Sequence, residues 1–229
     1  MQCCSIPRIW IHWRISSVNS HDATHWNNQL IVDKYYTIKE AGSSQYKEKM
    51  SRFLSFALPV SDAAECKSLI KEYQNKYHDA RHVCWAYMLG PERQEWQLND
   101  NGEPSGTAGK PILGQINSLE LTDVLVIVVR YFGGIKLGTP GLIAAYREAA
   151  RLGLEAAGKI EKRQMRRLRA SVPYAKADGV MKILKSMDVR ILDQTFDNMC
   201  GLLVEYPLDL EPELMGRLES ADECQVESV

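Results

Sequence analysis

Residues 123–132 read DVLVIVVRYF, and residues 133–138 that follow read GGIKLG. Between Val124 and Val129 there is no polar position. A strand here is therefore buried on both faces and lies inside a sheet covered from each side. Gly133-Gly134 ends the strand. Pro140 then marks the start of an Ala- and Leu-rich helix, expected over 141–157 and closed by Gly158. A buried strand feeding a long helix through a glycine turn predicts a mixed α+β fold.

Working towards the N-terminus, 99–111 (NDNGEPSGTAGKP) holds three glycines and two prolines in thirteen residues and predicts a loop of special backbone geometry. Thr107 or a neighbour is expected to open the next helix, running through Ile112, Leu113 and Ile116. His82–Leu89 (HVCWAYML) reads as a strand closed by Gly90-Pro91, with 95–98 as its hairpin partner. Residues 51–60 and 35–38 read as further strands. Ser61 reads as the N-cap of a helix to Tyr77, with Ala64, Leu69, Ile70 and Tyr73 on its apolar face.

Beyond Gly158 the composition shifts. Residues 159–169 carry Lys159, Lys162, Arg163, Arg166, Arg167 and Arg169 against Glu161 alone, a net of +5. Residues 197–229 carry nine acids against Arg217 alone, a net of -8. The pattern from 166 on reads strand, helix, strand, strand, helix, short strand, the βαββαβ order of a ferredoxin-like domain. The expected organisation is a leader over 1–30, a first domain over 31–160 and a ferredoxin-like domain over 161–229.

The chain has 229 residues, 28 Lys+Arg against 29 Asp+Glu, 45% apolar and 25% charged residues. This is the balance of a soluble globular protein, neither disordered overall nor strongly basic, so nucleic-acid contact has to be local. No apolar run reaches the roughly 18 residues of a membrane span, and a cytoplasmic location is expected. Cys3, Cys4, Cys66, Cys84, Cys200 and Cys224 are scattered without a CxxC pair, which predicts reduced thiols and no metal site. Met1–Asn28 holds Trp10, Trp13, Trp26, His12, His21 and His25 without any sustained period. It reads as a poorly ordered leader or a start assigned too far upstream, against the alternative of an aromatic anchoring arm.

Three blocks carry a family resemblance: His82-Val83-Cys84; Asp100–Gly109 (DNGEPSGTAG); and Val128–Gly138 (VVRYFGGIKLG) followed by Gly141-Leu142 and Tyr146. In this order they resemble the signature of the YigZ/IMPACT family, over roughly residues 35–157. The resemblance implies a first domain like ribosomal protein S5 domain 2, an α/β sandwich, followed by a small ferredoxin-like domain similar to one in elongation factor G. It also implies translation regulation, since eukaryotic relatives act through protein partners and an amino-acid-starvation kinase pathway.

The motif residues suggest anion chemistry. GTAGKP lacks the GxxxxGK[ST] spacing of a Walker loop. A glycine turn opening a helix still offers N–H groups to an anion, unless it is only a tight loop. Arg130, Lys136 and Lys110 are expected to line one positive shelf, with Arg130 alternatively paired to Asp100 or Glu103. Of Tyr131 and Phe132, one ring is expected in the core and the other beside a groove. His82, Asp100, Ser105 and Thr107 complete the candidate anion or ligand site, although no GxSxG or HExxH motif supports catalysis. Lys162, Arg163, Arg167 and Arg169 form a candidate RNA-backbone patch, or a solvated face paired to the acidic C-terminal region.

The favoured reading is a non-enzymatic translation-associated regulator, or RNA- or ribosome-binding protein, needing no cofactor. The alternatives are an enzyme acting on a small phosphorylated or carboxylated metabolite in a cleft of Asp100–Lys110 and Arg130–Lys136, and a protein-interaction module. Oligomeric state stays open.

Overall fold

The computed structural model of the chain describes residues 33–221 and 223–229. The segment read as a leader lies outside the described residues. The described residues belong to one compact unit. In chain order its elements are β1 (Lys34–Ile38), β2 (Gly42–Glu48), β3 (Ser51–Pro59), α1 (Ala63–Lys76), β4 (His82–Leu89), β5 (Glu95–Asn99), α2 (Gly109–Ser118), β6 (Val124–Tyr131), α3 (Gly138–Ala157) and β7 (Lys159–Arg163). There follow β8 (Met165–Val172), α4 (Tyr174–Lys185), β9 (Arg190–Phe196), β10 (Cys200–Pro207), α5 (Glu211–Glu219) and β11 (Gln225–Ser228).

β6 is the middle of a five-stranded antiparallel sheet of order β2-β3-β6-β4-β5. Alternation along it explains the unbroken apolar run. Val124, Val126 and Val128 pack with Ile112 and Ile116 of α2 and Ala145, Tyr146 and Ala149 of α3. Leu125, Ile127 and Val129 pack on the other face with Cys66 and Ile70 of α1. Gly153 lets α3 approach β3, since a Cβ there would meet the Ser55 Oγ at 2.3 Å.

Some local expectations shift. Asp62, not Ser61, caps α1, its Oδ1 accepting from the Ala64 and Glu65 N–H groups at 2.8 Å each. Ser61 instead donates its hydroxyl and N–H to Glu65. Ala64 is exposed, and Cys66 takes its expected place on the buried face. α3 begins at Gly138, three residues before the sequence expectation, because Gly138 adopts a positive φ of 72° and Pro140 fits inside the first turn. β2 and β7 went unread. β7, the start of the basic stretch, pairs antiparallel with β1, from Lys34 opposite Arg163 to Ile38 opposite Lys159.

The second sheet runs β11-β8-β10-β9. With strands taken in chain order this is 4-1-3-2, the arrangement of a ferredoxin-like fold. α4 and α5 cover one face, where Val180, Leu184, Leu214 and Leu218 meet Leu168, Ala170, Leu202 and Val204. The two sheets thus have separate cores within a mixed α+β architecture. Among the described residues no helix is long and apolar enough to cross a membrane.

Candidate functional site

The loop between β5 and α2 is built around Asp100. Its Oδ2 accepts from the Gly106 N–H at 2.8 Å, and its Oδ1 accepts from Ala108 N–H at 2.9 Å and Gly109 N–H at 2.8 Å. Gly102 and Gly106 take positive φ values of 82° and 77° so that the chain can fold back on this carboxylate. The Thr107 hydroxyl, buried, donates to the Pro104 carbonyl at 2.7 Å. The glycine turn therefore does present N–H groups to an anion, and the anion is the protein's own Asp100. The tight-loop alternative describes it.

The same fold-back delivers Glu103 into the interior below β6. Its Oε1 accepts from Arg130 Nη1 at 2.6 Å and from the Tyr146 hydroxyl at 2.9 Å. Of the two partners open to Arg130 from the sequence, Glu103 is the one taken. Arg130 lies on the same face of β6 as Val128, is only 5% exposed, and stands opposite His82 of β4. Its guanidinium carbon lies 5.6 Å from the Phe53 ring centroid and 5.5 Å from that of Phe132. Among the described residues the Arg130 Nε is buried without a hydrogen-bond partner. Cys84 Sγ donates to the Asp100 carbonyl at 3.0 Å and lies 3.3 Å from the Tyr146 hydroxyl. Burial pushes the Cys84 thiol up to about 12, so it stays protonated and unreactive at neutral pH. Burial likewise holds the Tyr146 phenol above its ordinary range, which keeps it a donor to Glu103.

His82 closes the group. Its Nδ1 lies 2.8 Å from the Asn101 carbonyl, which can only accept, so Nδ1 carries the proton. Its Nε2 stands 3.8 Å from Glu103 Oε1. Above these groups opens a cleft of about 470 Å³. Arg81, His82, Glu103, Arg130, Phe132 and Lys136 line it, together with Gly138 and Thr139 from the first turn of α3. α3 has no side-chain cap, so its first N–H groups are left for solvent or a ligand. Arg81, Arg130 and Lys136 face one carboxylate, Glu103, which makes the cleft positive. Among the described residues Arg81 and Lys136 are exposed and have no ion-pair partner.

The expected site is thus only partly assembled. His82, Arg130 and Lys136 share the cleft. Asp100 and Thr107 shape its wall from within the loop. Lys110 departs from the expected shelf: it lies in a separate shallow groove with Gly106, Gly114 and Arg147, because its position in the first turn of α2 turns it away from β6. Ser105 is exposed and does not line the cleft. Arg81 and the α3 N-terminus were not among the expected site residues. Arg81 precedes the His82 block directly in the chain, which was the available signal. Of the two neighbouring rings, Tyr131 is half-buried, its hydroxyl donating to Asp79 at 3.0 Å, and Phe132 is the one at the groove.

The basic stretch is largely neutralised. Arg163 bonds Asp188 and Asp209, Arg166 meets Glu211 and Arg167 meets Glu205. The expected patch of Lys162, Arg163, Arg167 and Arg169 is therefore not a free cationic surface. Lys162 and Arg169 remain exposed, and Arg169 sits opposite Glu227 of β11.

Comparison with known proteins places these features. The family model of the Impact N-terminal domain matches residues 49–154. An IMPACT family member of Bacillus subtilis is 39% identical over 144 residues, 63% of this chain and 66% of the relative. An IMPACT family member of Haemophilus influenzae is 31% identical over 75% of this chain and 84% of the relative. A crystal structure of a hypothetical protein superposes with a TM-score of 0.66 at 27% identity, covering 87% of this chain and 98% of the other. The motif blocks, the sheet they build and these matches agree that the chain belongs to the IMPACT family.

Proposed function

We propose that this protein is a non-enzymatic, translation-associated regulator that binds RNA or the ribosome through the positive cleft beside α3, and works in the cytoplasm. One observation carries the reading: two exposed cations without an ion-pair partner among the described residues, Arg81 and Lys136, converge with Arg130 on the uncapped start of a 20-residue helix. Phosphate oxygens suit both the cations and the free N–H groups. The division into domains at 31–160 and 161–229 belongs to the same proposal, with the first domain doing the binding.

The test is co-sedimentation with ribosomes and binding to RNA across a salt series. Affinity falls with salt, and the double variant Arg81→Glu/Lys136→Glu lowers the log–log slope by about one for each cation lost. Absence of binding at low salt overturns the proposal.

A second reading, acid–base catalysis on a small phosphorylated or carboxylated metabolite, has one observation in its favour. His82 is held in one tautomer with Nε2 near Glu103. It is weaker because Glu103 is already engaged by Arg130 and Tyr146, Asp100 is engaged by the loop, and Ser105 and Lys110 lie off the cleft. The third, a protein-interaction module built on the acidic C-terminal region, loses ground because Asp209, Glu211 and Glu205 are paired to arginines of the same chain.

A further inference from the structure

We infer that the cleft takes one unpaired nucleotide of a single-stranded RNA, its base stacked on Phe132 and its phosphate held by Arg81, Lys136 and the first turn of α3. The inference rests on the RNA-binding reading above and names the kind of RNA.

Phe132 is 41% exposed at the cleft although β6 is buried from Val124 to Arg130. Its ring is held in place from below by the Arg130 guanidinium. The turn after it is fixed: a Cβ on Gly133 would fall 2.0 Å from the Met50 backbone, so only glycine lets the β2–β3 turn seat there. Lys49 and Met50, at positive φ values of 43° and 68°, are the two central residues of the tight β2–β3 hairpin turn that packs there. A preset flat ring beside a cationic anchor is the platform that binds unpaired bases irrespective of sequence. A volume of about 470 Å³ lies in the ~300–1,000 Å³ range of sites for small groups, and it is concave. Duplex RNA keeps its bases stacked inside and presents a convex backbone, so it cannot place a base on Phe132.

The second sheet also exposes a ring, Phe196 of β9, but that ring stacks on Tyr174 at 6.3 Å and does not line the cleft. The uncovered face of that sheet carries Arg167, Arg169, Ser171, Leu203, Glu205 and Thr195, and no aromatic ring. Arg167 and Arg190 there both lean on Glu205.

The experiment uses the full chain and fluorescence anisotropy with three probes: a short oligouridylate, an abasic ribose-phosphate oligomer of equal length, and an RNA duplex. The expected result is about tenfold tighter binding of oligouridylate than of the abasic oligomer, with duplex no tighter than abasic. Phe132→Ala removes the preference and Phe132→Tyr keeps it, with salt-dependent binding of the abasic oligomer, retained by both variants, reporting that the fold is intact. Equal affinity for base-bearing and abasic oligomers, or a preference that survives Phe132→Ala, overturns the inference while leaving phosphate binding intact. Failure of all three probes to bind overturns the RNA-binding reading as well.

Discussion

Both sheets set an arginine against a glutamate, and the two pairs live in opposite surroundings. Arg130 and Glu103 have side chains 7% and 3% exposed, inside a five-stranded sheet covered on both faces. Arg167 and Glu205 are 56% and 15% exposed, on the open face of a four-stranded sheet covered on one. The buried pair is short, shared with Tyr146, and bounded by Phe53 and Phe132. Removing one partner strands a charge without water. The surface pair is competed by Arg190 and screened by salt. The lesson is that the same ion pair fixes a site in one half and merely balances charge in the other.

The comparison is tested most sharply by Glu103→Ala, which leaves Arg130 buried and unpaired. It is expected to destabilise the chain by about 3–5 kcal/mol in urea denaturation. Loss below about 1 kcal/mol would erase the contrast. Tyr146→Phe comes next. It removes one donor to a buried carboxylate and is expected to lower stability by about 2 kcal/mol. In the other half, Arg167→Ala is expected to lower stability by at most about 1 kcal/mol. A double-mutant cycle with Glu205→Ala should give a coupling that shrinks as salt is added, whereas the Arg130–Glu103 coupling should hardly respond.

The smallest expected effect concerns Asp123, whose carboxyl is held above the ordinary aspartate range chiefly by burial, against the Gly90 N–H bond that lowers it. The folded form therefore binds its proton more tightly than the unfolded chain. That contribution is complete below the unfolded value of about 3.9 and is lost as pH rises through the folded one. Asp123→Asn keeps an oxygen acceptor for Gly90 and removes the titration, so the wild type's melting temperature should rise relative to the variant's as pH falls through this acid window.

What could be read from residues alone follows the same divide. β6 was legible because its apolar run admits one explanation, and the βαββαβ order because β8 and β10 alternate between buried and more exposed positions and each is followed by an amphipathic helix. β2 (GSSQYKE) and β7 (KIEKR) were not, since their residues are polar and only pairing with β3 and β1 makes them strands. The cap of α1 slipped by one residue because Ser61 and Asp62 are both good caps and geometry chose the carboxylate. At the cleft, the blocks around His82 and Arg130 pointed to the right place. The use of Asp100 as an internal anion depends on how the loop turns back, and no local pattern states that. Arg163 and Arg167 find partners 46 and 38 residues away; the opposite charges of the two stretches allowed for such pairing, but no local pattern chose it over a free patch.

The antiparallel ribbon of β1 and β7 has one more consequence. Gln164 donates its N–H to the Asp33 carbonyl at 2.7 Å, so the chain runs into and out of the motif-bearing half at the same spot. That half is topologically a closed ring with neighbouring ends. It is therefore suited to circular permutation: joining 33 to 164 by a short linker and opening the chain at an exposed turn, such as that between β2 and β3, preserves every strand pairing. Such a permuted chain is expected to keep the cooperative melting of the original, which thermal denaturation checks.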